Sequence, residues 1–194
     1  MATPRRMGTE TSETRVRLLD VTERIMIDDG YAAVSSRRIA KDAGVTPALV
    51  HYYFGTLDDL FLALLRRRAE QQLARQQRKL SAERPLRSLW EASKDRDGAR
   101  LLTELMALAN HRKVIQTELA EYAERFRAIQ LKALEDHVAD LGVDVPPVVL
   151  LVLIAGMSRS LVLEASLGMT TGIAETYEVI ERYLDQLEAA PPAG

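Results

Sequence analysis

The sequence predicts an all-α protein, and three features support this fold class. Apolar residues recur at helical spacing in nearly every segment, as at Leu18, Ile25 and Met26. Residues that favour helix starts and helix ends bound these segments. Examples are Pro47 at the first position of one helix and Gly30 just after the last residue of another. No run of four or more residues alternates between apolar and polar side chains as a half-buried strand does.

Composition excludes several classes of protein. The chain has 194 residues, of which 47% are hydrophobic and 28% are charged, so it can bury a core and is not a disordered chain. The absence of cysteine excludes disulfides, thiolate metal sites and cysteine nucleophiles. The longest apolar run, 148–157, is too short to cross a bilayer, and no secretory signal is visible. We therefore expect a cytoplasmic protein with no membrane contact.

Charge is divided unevenly along the chain. The formal net charge is −2, but residues 1–80 carry +4 and residues 81–194 carry −6. A weakly basic N-terminal part is compatible with nucleic-acid contact at that end only.

The N-terminal region predicts three helices. Residues 14–29 form the first, which Gly30 ends in a left-handed conformation. Ser35 or Ser36 caps a short second helix, and Gly44 allows the sharp turn that follows it.

The third helix runs from Pro47 to about Tyr53, with Thr46 offering its hydroxyl as the N-cap. The second and third helices together predict a helix-turn-helix whose second helix suits the DNA major groove. The alternative interpretation is an ordinary corner between two helices.

Six further helices are predicted after this motif. The segment 56–59 has the form of a capping box and opens the fourth helix, which continues to about Leu80. The others are a fifth from Pro85, a sixth around 101–109 that Asp97-Gly98 separates from it, a seventh over 112–141, an eighth from Pro146-Pro147 and a ninth from Ile173.

Residues 14–65 resemble the TetR family of transcriptional regulators. The matching segments are Leu18-Leu19, Gly30-Tyr31, Ser35 to Ala40, Ala43-Gly44-Val45, His51 to Phe54, and the Thr56-capped helix with Leu60-Phe61. The resemblance implies an Ω-shaped homodimer with an N-terminal three-helix helix-turn-helix DNA-binding domain over 14–60. It also implies a C-terminal helical ligand-binding and dimerisation domain over 61–190. A flexible basic arm, 1–13, and a tail, 191–194, complete the expected organisation.

The resemblance also implies DNA contacts. Ser36 matches a position whose hydroxyl meets a phosphate, and Arg37 one that reaches a base. The other expected contacts come from the recognition helix and the residue that caps the fourth helix; they are Thr46, Pro47, Ala48, Leu49, His51, Tyr52, Tyr53 and Thr56.

The sequence departs from the family pattern in its cations. Leu57 stands where the family often has a phosphate-binding lysine, and no Lys or Arg occurs from Asp42 to Leu65. We therefore expect comparatively salt-tolerant binding that uses neutral hydrogen bonds and helix N-terminal amides. The expected cations are Arg37, Arg38, and Arg5 and Arg6 of the arm.

For the C-terminal part the resemblance implies a pocket for an unidentified small apolar effector among the fourth to seventh helices. The candidate ligand-binding residues are Trp90, Met106, His111, Tyr122 and Phe126. The eighth helix is apolar beyond one core face, and the ninth has an apolar stripe, so we expect both to form a homodimer interface.

No sequence pattern supports catalysis or metal binding. The three histidines are scattered, and no phosphate-binding glycine loop or hydrolase elbow is present, so we expect neither metal nor cofactor. The leading interpretation is a ligand-responsive dimeric regulator, most simply a repressor released from a palindromic operator. The alternatives are a helical homodimeric interaction scaffold that does not bind DNA, and a helical enzyme.

Overall fold

The computed structural model describes residues 12–79, 84–138 and 145–189, and over these ranges the chain is helical with no strand. The all-α prediction is therefore confirmed for the described residues. The helices are α1 Glu13–Asp29, α2 Ser36–Ala43, α3 Pro47–Phe54, α4 Leu57–Lys79, α5 Pro85–Ser93, α6 Arg96–Ala109, α7 Lys113–Val138, α8 Pro147–Ser166 and α9 Ile173–Ala189. A single 3₁₀ turn, Tyr31–Ala33, lies between α1 and α2.

The N-terminal helix boundaries follow from local capping. Ser35, rather than Ser36, caps α2, because the Ser35 hydroxyl accepts a hydrogen bond of 3.2 Å from the N–H of Arg38. Gly44 ends α2 in the left-handed conformation, with φ 67° and ψ 36°. Gly30 has φ 83° but ψ 163°, so the predicted left-handed helix end is wrong there, and Gly30 instead adopts an extended conformation that essentially only glycine reaches.

The predicted break at Asp97-Gly98 is wrong, because both residues lie in the first turn of α6. The N–H of Gly98 donates a hydrogen bond of 3.1 Å to the Asp95 carboxylate. A Cβ atom at position 98 would lie 2.7 Å from that carboxylate, which a larger residue would displace. The glycine therefore permits a helix start instead of causing a helix stop.

The chain forms two compact units, and α4, α6 and α7 each contribute to both. The first unit extends to Glu70 and resumes over Arg100–Glu121, and the second comprises Gln71–Ala99 and the chain from Tyr122 onward. The boundary predicted between 14–60 and 61–190 stays a prediction. Most of the expected arm, 1–11, and the tail, 191–194, lie outside the described residues.

Ion pairs fix α4 within the first unit. The Arg66 guanidinium donates two hydrogen bonds, of 2.8 and 2.7 Å, to Glu118 on α7. This contact lowers the pKa of Glu118 below its ordinary value. Arg67 pairs with Asp20 and Glu23 on α1 at 2.6 and 3.1 Å. The basic cluster of α4 is therefore neutralised within the first unit.

The second unit has a leucine-rich core. Its buried members are Leu86, Leu89, Trp90, Leu134, Leu151, Leu161 and Leu184. On α8, Leu151, Ser158, Leu161 and Val162 are buried, whereas Val152 and Leu153 are 46% and 57% exposed. Part of the apolar surface of α8 is thus left exposed by the other helices of its unit.

By length and composition, α8 is apolar enough to cross a membrane. The ten-residue run that the sequence marks as too short is therefore part of a longer apolar helix. A helix packed in a core or an interface meets the same two criteria, so this property alone is weak evidence for a span.

Candidate nucleic-acid interface

The helix-turn-helix is held together by apolar residues on the inner faces of α2 and α3. Ile39, Ala40, Val50 and Phe54 are each at most 3% exposed. The N–H of Val45 donates a hydrogen bond of 2.9 Å to the carbonyl of Ala40, which fixes the turn between the helices. Because the buried Val50 and Phe54 occupy one face of α3, its opposite face points to solvent.

The first turn of α3 presents the predicted contact residues. Thr46, Pro47 and Ala48 are exposed, and Leu49 is half-buried. Thr46 occupies the N-cap position as predicted, but its hydroxyl makes no capping hydrogen bond. The N–H of Leu49 instead donates to the backbone carbonyl of Thr46 at 3.0 Å. The N-cap function predicted for the Thr46 side chain is therefore wrong.

The last turn of α3 carries an aromatic ladder. Tyr52 is 44% exposed, and its ring centroid lies 5.3 Å from that of Tyr53 in an edge-to-face arrangement. Tyr53 is half-buried, and its ring centroid lies 6.5 Å from that of the buried Phe54. Tyr52 is thus the more exposed of the two tyrosines, and the ring of Tyr53 contacts both Tyr52 and the buried Phe54.

His51 is exposed and oriented by the backbone. Its Nδ1 lies 3.1 Å from the carbonyl oxygen of Gly55. Since a carbonyl only accepts, Nδ1 carries the proton in this contact. In the neutral ring Nε2 is then an acceptor, and it becomes a donor only when the ring is protonated. Contact between Nε2 and a phosphate therefore requires the charged imidazole.

A tight turn at Gly55 joins α3 to α4. Gly55 has φ 73° and ψ −71°, and the N–H of Thr56 donates a hydrogen bond of 2.8 Å to the carbonyl of Phe54. These values define a classic γ-turn, a rare and strained conformation. The direction of the chain changes by 65° between α3 and α4 at this turn.

The predicted capping box at the start of α4 is confirmed. The N–H and hydroxyl of Thr56 both donate to one carboxylate oxygen of Asp59, at 3.1 and 2.6 Å. The N–H of Asp59 donates back to the Thr56 hydroxyl at 3.1 Å. Asp59 thus already uses the polar groups of Thr56 that were expected to meet a phosphate.

The two arginines of α2 have different environments. Arg37 is exposed and has no ion pair within the described part of the chain, whereas Arg38 pairs with Asp29 and Asp42. Ser36, next to them, is half-buried. Of these two arginines, Arg37 is therefore the one that remains for DNA, and the expected help from Arg38 is reduced by its two acidic neighbours.

The candidate ligand-binding residues divide between the two units. Met106 and His111 are exposed in the first unit. In the second unit Trp90 is fully buried, with its ring centroid 5.4 Å from that of Tyr177. Tyr122 and Phe126 are half-buried on α7 in the second unit. A shared pocket for these five residues stays a prediction.

Sequence reasoning missed two contacts at the helix-turn-helix. Arg15, in the first turn of α1, lies with its guanidinium carbon 5.1 Å from the centroid of the Phe54 ring. The carboxylate of Glu104 accepts a hydrogen bond of 2.8 Å from the N–H of Tyr31. Both partners are distant in sequence, so helical spacing gives no signal for either contact.

Comparison with known proteins gives a match over the helix-turn-helix. Residues 18–64 match the family model described as bacterial regulatory proteins, tetR family. A stretch of 52 residues is 44% identical to the HTH-type transcriptional regulator BetI of Rhizobium meliloti and, equally, to BetI of Brucella anthropi. This stretch covers 27% of the chain and 26% of the Rhizobium protein, so the match spans about a quarter of that relative's length.

Solved structures share the fold over most of the chain. A proposed transcriptional regulator from Saccharomonospora viridis in complex with choline has a TM-score of 0.75 and 21% identity, covering 90% of this chain and 97% of that one. A TetR transcription regulator from Haloarcula marismortui has a TM-score of 0.72 and 22% identity, with the same coverages. The multidrug binding protein EbrR complexed with imidazole has a TM-score of 0.58 and 27% identity, covering 94% and 98%. The likeness therefore includes the C-terminal helices as well as the helix-turn-helix.

Proposed function

We propose that the protein is a homodimeric transcriptional regulator that binds an inverted-repeat DNA operator, because residues 18–64 match the model of the tetR family of bacterial regulatory proteins. The resemblance predicted from residues 14–65 is confirmed by the family match and by the shared fold. Inverted-repeat recognition follows from two-fold symmetry, since each subunit brings one recognition helix to one half-site.

One observation carries the DNA-binding proposal. Along α3, Val50 and Phe54 are buried, whereas Thr46, His51 and Tyr52 are exposed. An eight-residue helix with a polar and aromatic outer face, supported by α2 from behind, has the form of a major-groove recognition helix. The interaction scaffold is less favoured, because it gives this outer face no role.

Exposed apolar side chains on α8 and α9 support the dimer proposal. Those more than 38% exposed are Val148, Val149, Val152, Leu153, Met157, Leu163, Val179 and Tyr183. Exposed apolar surface of this extent marks an interaction site in proteins of this size. Burial of these two helices against their copies would form a four-helix bundle across a two-fold axis, and this bundle also explains why α8 is apolar on both sides.

We further propose that a small apolar molecule releases the protein from DNA, so that it acts as a repressor. The leucine-rich core around Trp90 and Tyr177 supports an apolar effector, because helical bundles hold small ligands among such side chains. Two proteins of similar fold have been solved with small molecules, choline and imidazole. Since Trp90 is the only tryptophan, its fluorescence should change with effector concentration, and DNA affinity should change over the same range.

A mobility-shift titration against a pool of random-sequence duplexes tests the DNA-binding proposal. The wild-type protein should retard the pool, and the double variant His51→Ala/Tyr52→Ala should bind several-fold more weakly. Val114→Ala, which shortens a side chain of similar exposure on α7, is the matched control and should bind as the wild type does. A wild-type protein that retards no duplex would contradict the proposal.

A further inference from the structure

The outer surface of α2 carries two basic side chains one helical turn apart. Arg37 and Lys41 are both exposed, and a spacing of four residues places them next to each other on one side of the helix. Within the described ranges of the chain, neither side chain takes part in an ion pair or a hydrogen bond. These two residues form the cationic stripe of α2, and both are available to an anion from solution.

The adjacent side of α2 differs, because its cation has acidic partners. Arg38 and Asp42 have the same four-residue spacing, but they form an ion pair at 3.6 Å. Arg38 also pairs with Asp29, the last residue of α1. Acidic side chains from α1 and α2 thus neutralise Arg38, and they leave the cationic stripe without a counterion in this part of the structure.

Helix stability does not account for the cationic stripe. Two like charges four residues apart destabilise a helix. Lys41 lies in the last turn of α2, where the helix dipole favours a cation, but Arg37 lies in the first turn, where the dipole disfavours one. The buried face of α2 is formed by other residues, Ile39, Ala40 and Ala43. A bound anion would relieve the repulsion between the two cations.

The end of α2 that carries Lys41 adjoins the recognition helix. The N–H of Val45 donates a hydrogen bond of 2.9 Å to the carbonyl of Ala40, and Thr46 and the exposed first turn of α3 follow directly. In a helix-turn-helix the N-terminal residues of the second helix reach the base edges, while the first helix crosses the DNA backbone. In the proposed complex Lys41 is therefore at the end of α2 next to the groove, and its compact ammonium suits a phosphate.

We propose that the Lys41 ammonium contacts a phosphate of the DNA backbone beside the recognition helix, one helical turn along α2 from Arg37. This inference rests on the proposed DNA-binding function, and it adds to that function a contact residue beyond those that the sequence predicts.

The test compares the salt dependence of DNA affinity for four proteins: the wild type, Lys41→Gln, Lys41→Arg and Lys113→Gln. The probes are an operator duplex recovered by selection from random sequences and a scrambled duplex of the same length. Lys113 is an exposed lysine at the start of α7 in the same compact unit, and it controls for the general effect of removing a positive charge. Glutamine has a helix propensity close to that of lysine, and thermal unfolding of each variant reports any change in stability.

Lys41→Gln should weaken binding to both duplexes by the same factor, because a phosphate contact carries no sequence information. It should also reduce the slope of log affinity against log salt by about 0.9, the value for one neutralised phosphate. Between 50 and 200 mM salt its affinity should consequently fall about 3-fold less than that of the wild type. Lys41→Arg should retain most of the slope because the charge remains, and Lys113→Gln should leave it unchanged.

Three results would overturn the inference while the wild type still binds DNA. An unchanged slope for Lys41→Gln, with or without a lower melting temperature, would restrict Lys41 to a role at the helix end. An equal loss of slope for Lys113→Gln would make the effect one of general charge. Weaker binding of Lys41→Gln to the operator alone would indicate a base contact instead of a phosphate contact. A wild-type protein that binds neither duplex would instead refute the proposed function, and with it this contact.

Discussion

The carboxylate of Glu104 accepts a hydrogen bond of 2.8 Å from the backbone N–H of Tyr31, which lies 73 residues earlier in the chain. The contact joins α6 to the 3₁₀ turn that precedes α2. Gly30 allows this approach, since a Cβ atom there would lie 3.3 Å from the Glu104 carboxylate. Within the first unit, Glu104 therefore anchors the backbone of the 3₁₀ turn that leads into the helix-turn-helix.

Glu104→Ala should lower the free energy of unfolding by about 1 kcal/mol, because the N–H of Tyr31 loses a charged acceptor at a partly buried site. Glu104→Gln keeps an acceptor oxygen and should cost less. Urea denaturation measures both changes. Glu121→Ala, which removes an exposed carboxylate on α7, is the control, and a loss equal to that of the control would show that the contact adds no stability.

DNA affinity should rise as pH falls from about 8 to 6, because histidine is the side chain that gains charge in this range. The bound phosphate favours the charged imidazole of His51, whose Nε2 donates only when it is protonated. Binding therefore takes up a proton, and lower pH favours the complex. Fluorescence anisotropy of a labelled duplex at a series of pH values gives the slope.

The control for this titration is His51→Gln, which keeps a polar side chain but has no titrating group. Its affinity should vary less with pH than that of the wild type. Equal pH slopes for the two proteins would remove His51 from the set of DNA contacts.

The same substitution at two glycines tests the γ-turn. Gly44 has φ 67° and ψ 36° with open space around it, so Gly44→Asn should be tolerated with a small loss of stability. Gly55, at φ 73° and ψ −71°, occupies a strained region, and a Cβ atom there would lie 3.3 Å from Asp59. Gly55→Asn should therefore cost about 1–3 kcal/mol in denaturant unfolding. Similar losses of unfolding free energy at both positions would mean that the γ-turn at Gly55 does not require glycine more strictly than the helix end at Gly44 does.

A charge on the outer face of α8 should break the dimer. Leu153 is 57% exposed, and Leu153→Glu would place a carboxylate in the proposed apolar interface. Sedimentation velocity should then show a monomer for the variant and a dimer for the wild type. Val114→Glu, at a position 48% exposed on α7, should remain dimeric. A dimeric Leu153→Glu protein would place the interface elsewhere.

The sequence predicts those parts of the fold that depend on neighbouring residues. Capping residues such as Ser35, and the Thr56–Asp59 box, set helix starts through contacts within three positions. The conformation of Gly30 and the Thr46 cap are exceptions. The start of α6 is another, because Asp-Gly serves equally as a break or as a capped first turn. The side chain of Asp95 determines which of the two forms, by accepting the N–H of Gly98.

The candidate site could be predicted only in part. Exposure of Thr46, His51 and Tyr52 follows from the three- and four-residue period of α3. The pairing of Arg38 with Asp29, and the contact of Arg15 with Phe54, join different helices. Such contacts depend on how helices pack, which the spacing of residues within one helix does not specify.

In vitro selection of bound duplexes from a random-sequence pool tests the central claim most directly. A two-fold dimer with one recognition helix per subunit should enrich inverted repeats whose half-site centres lie about 34 Å, or a multiple of this distance, apart. Binding should require both half-sites at low protein concentration. Enrichment of a single asymmetric site, or of no sequence at all, would contradict the account.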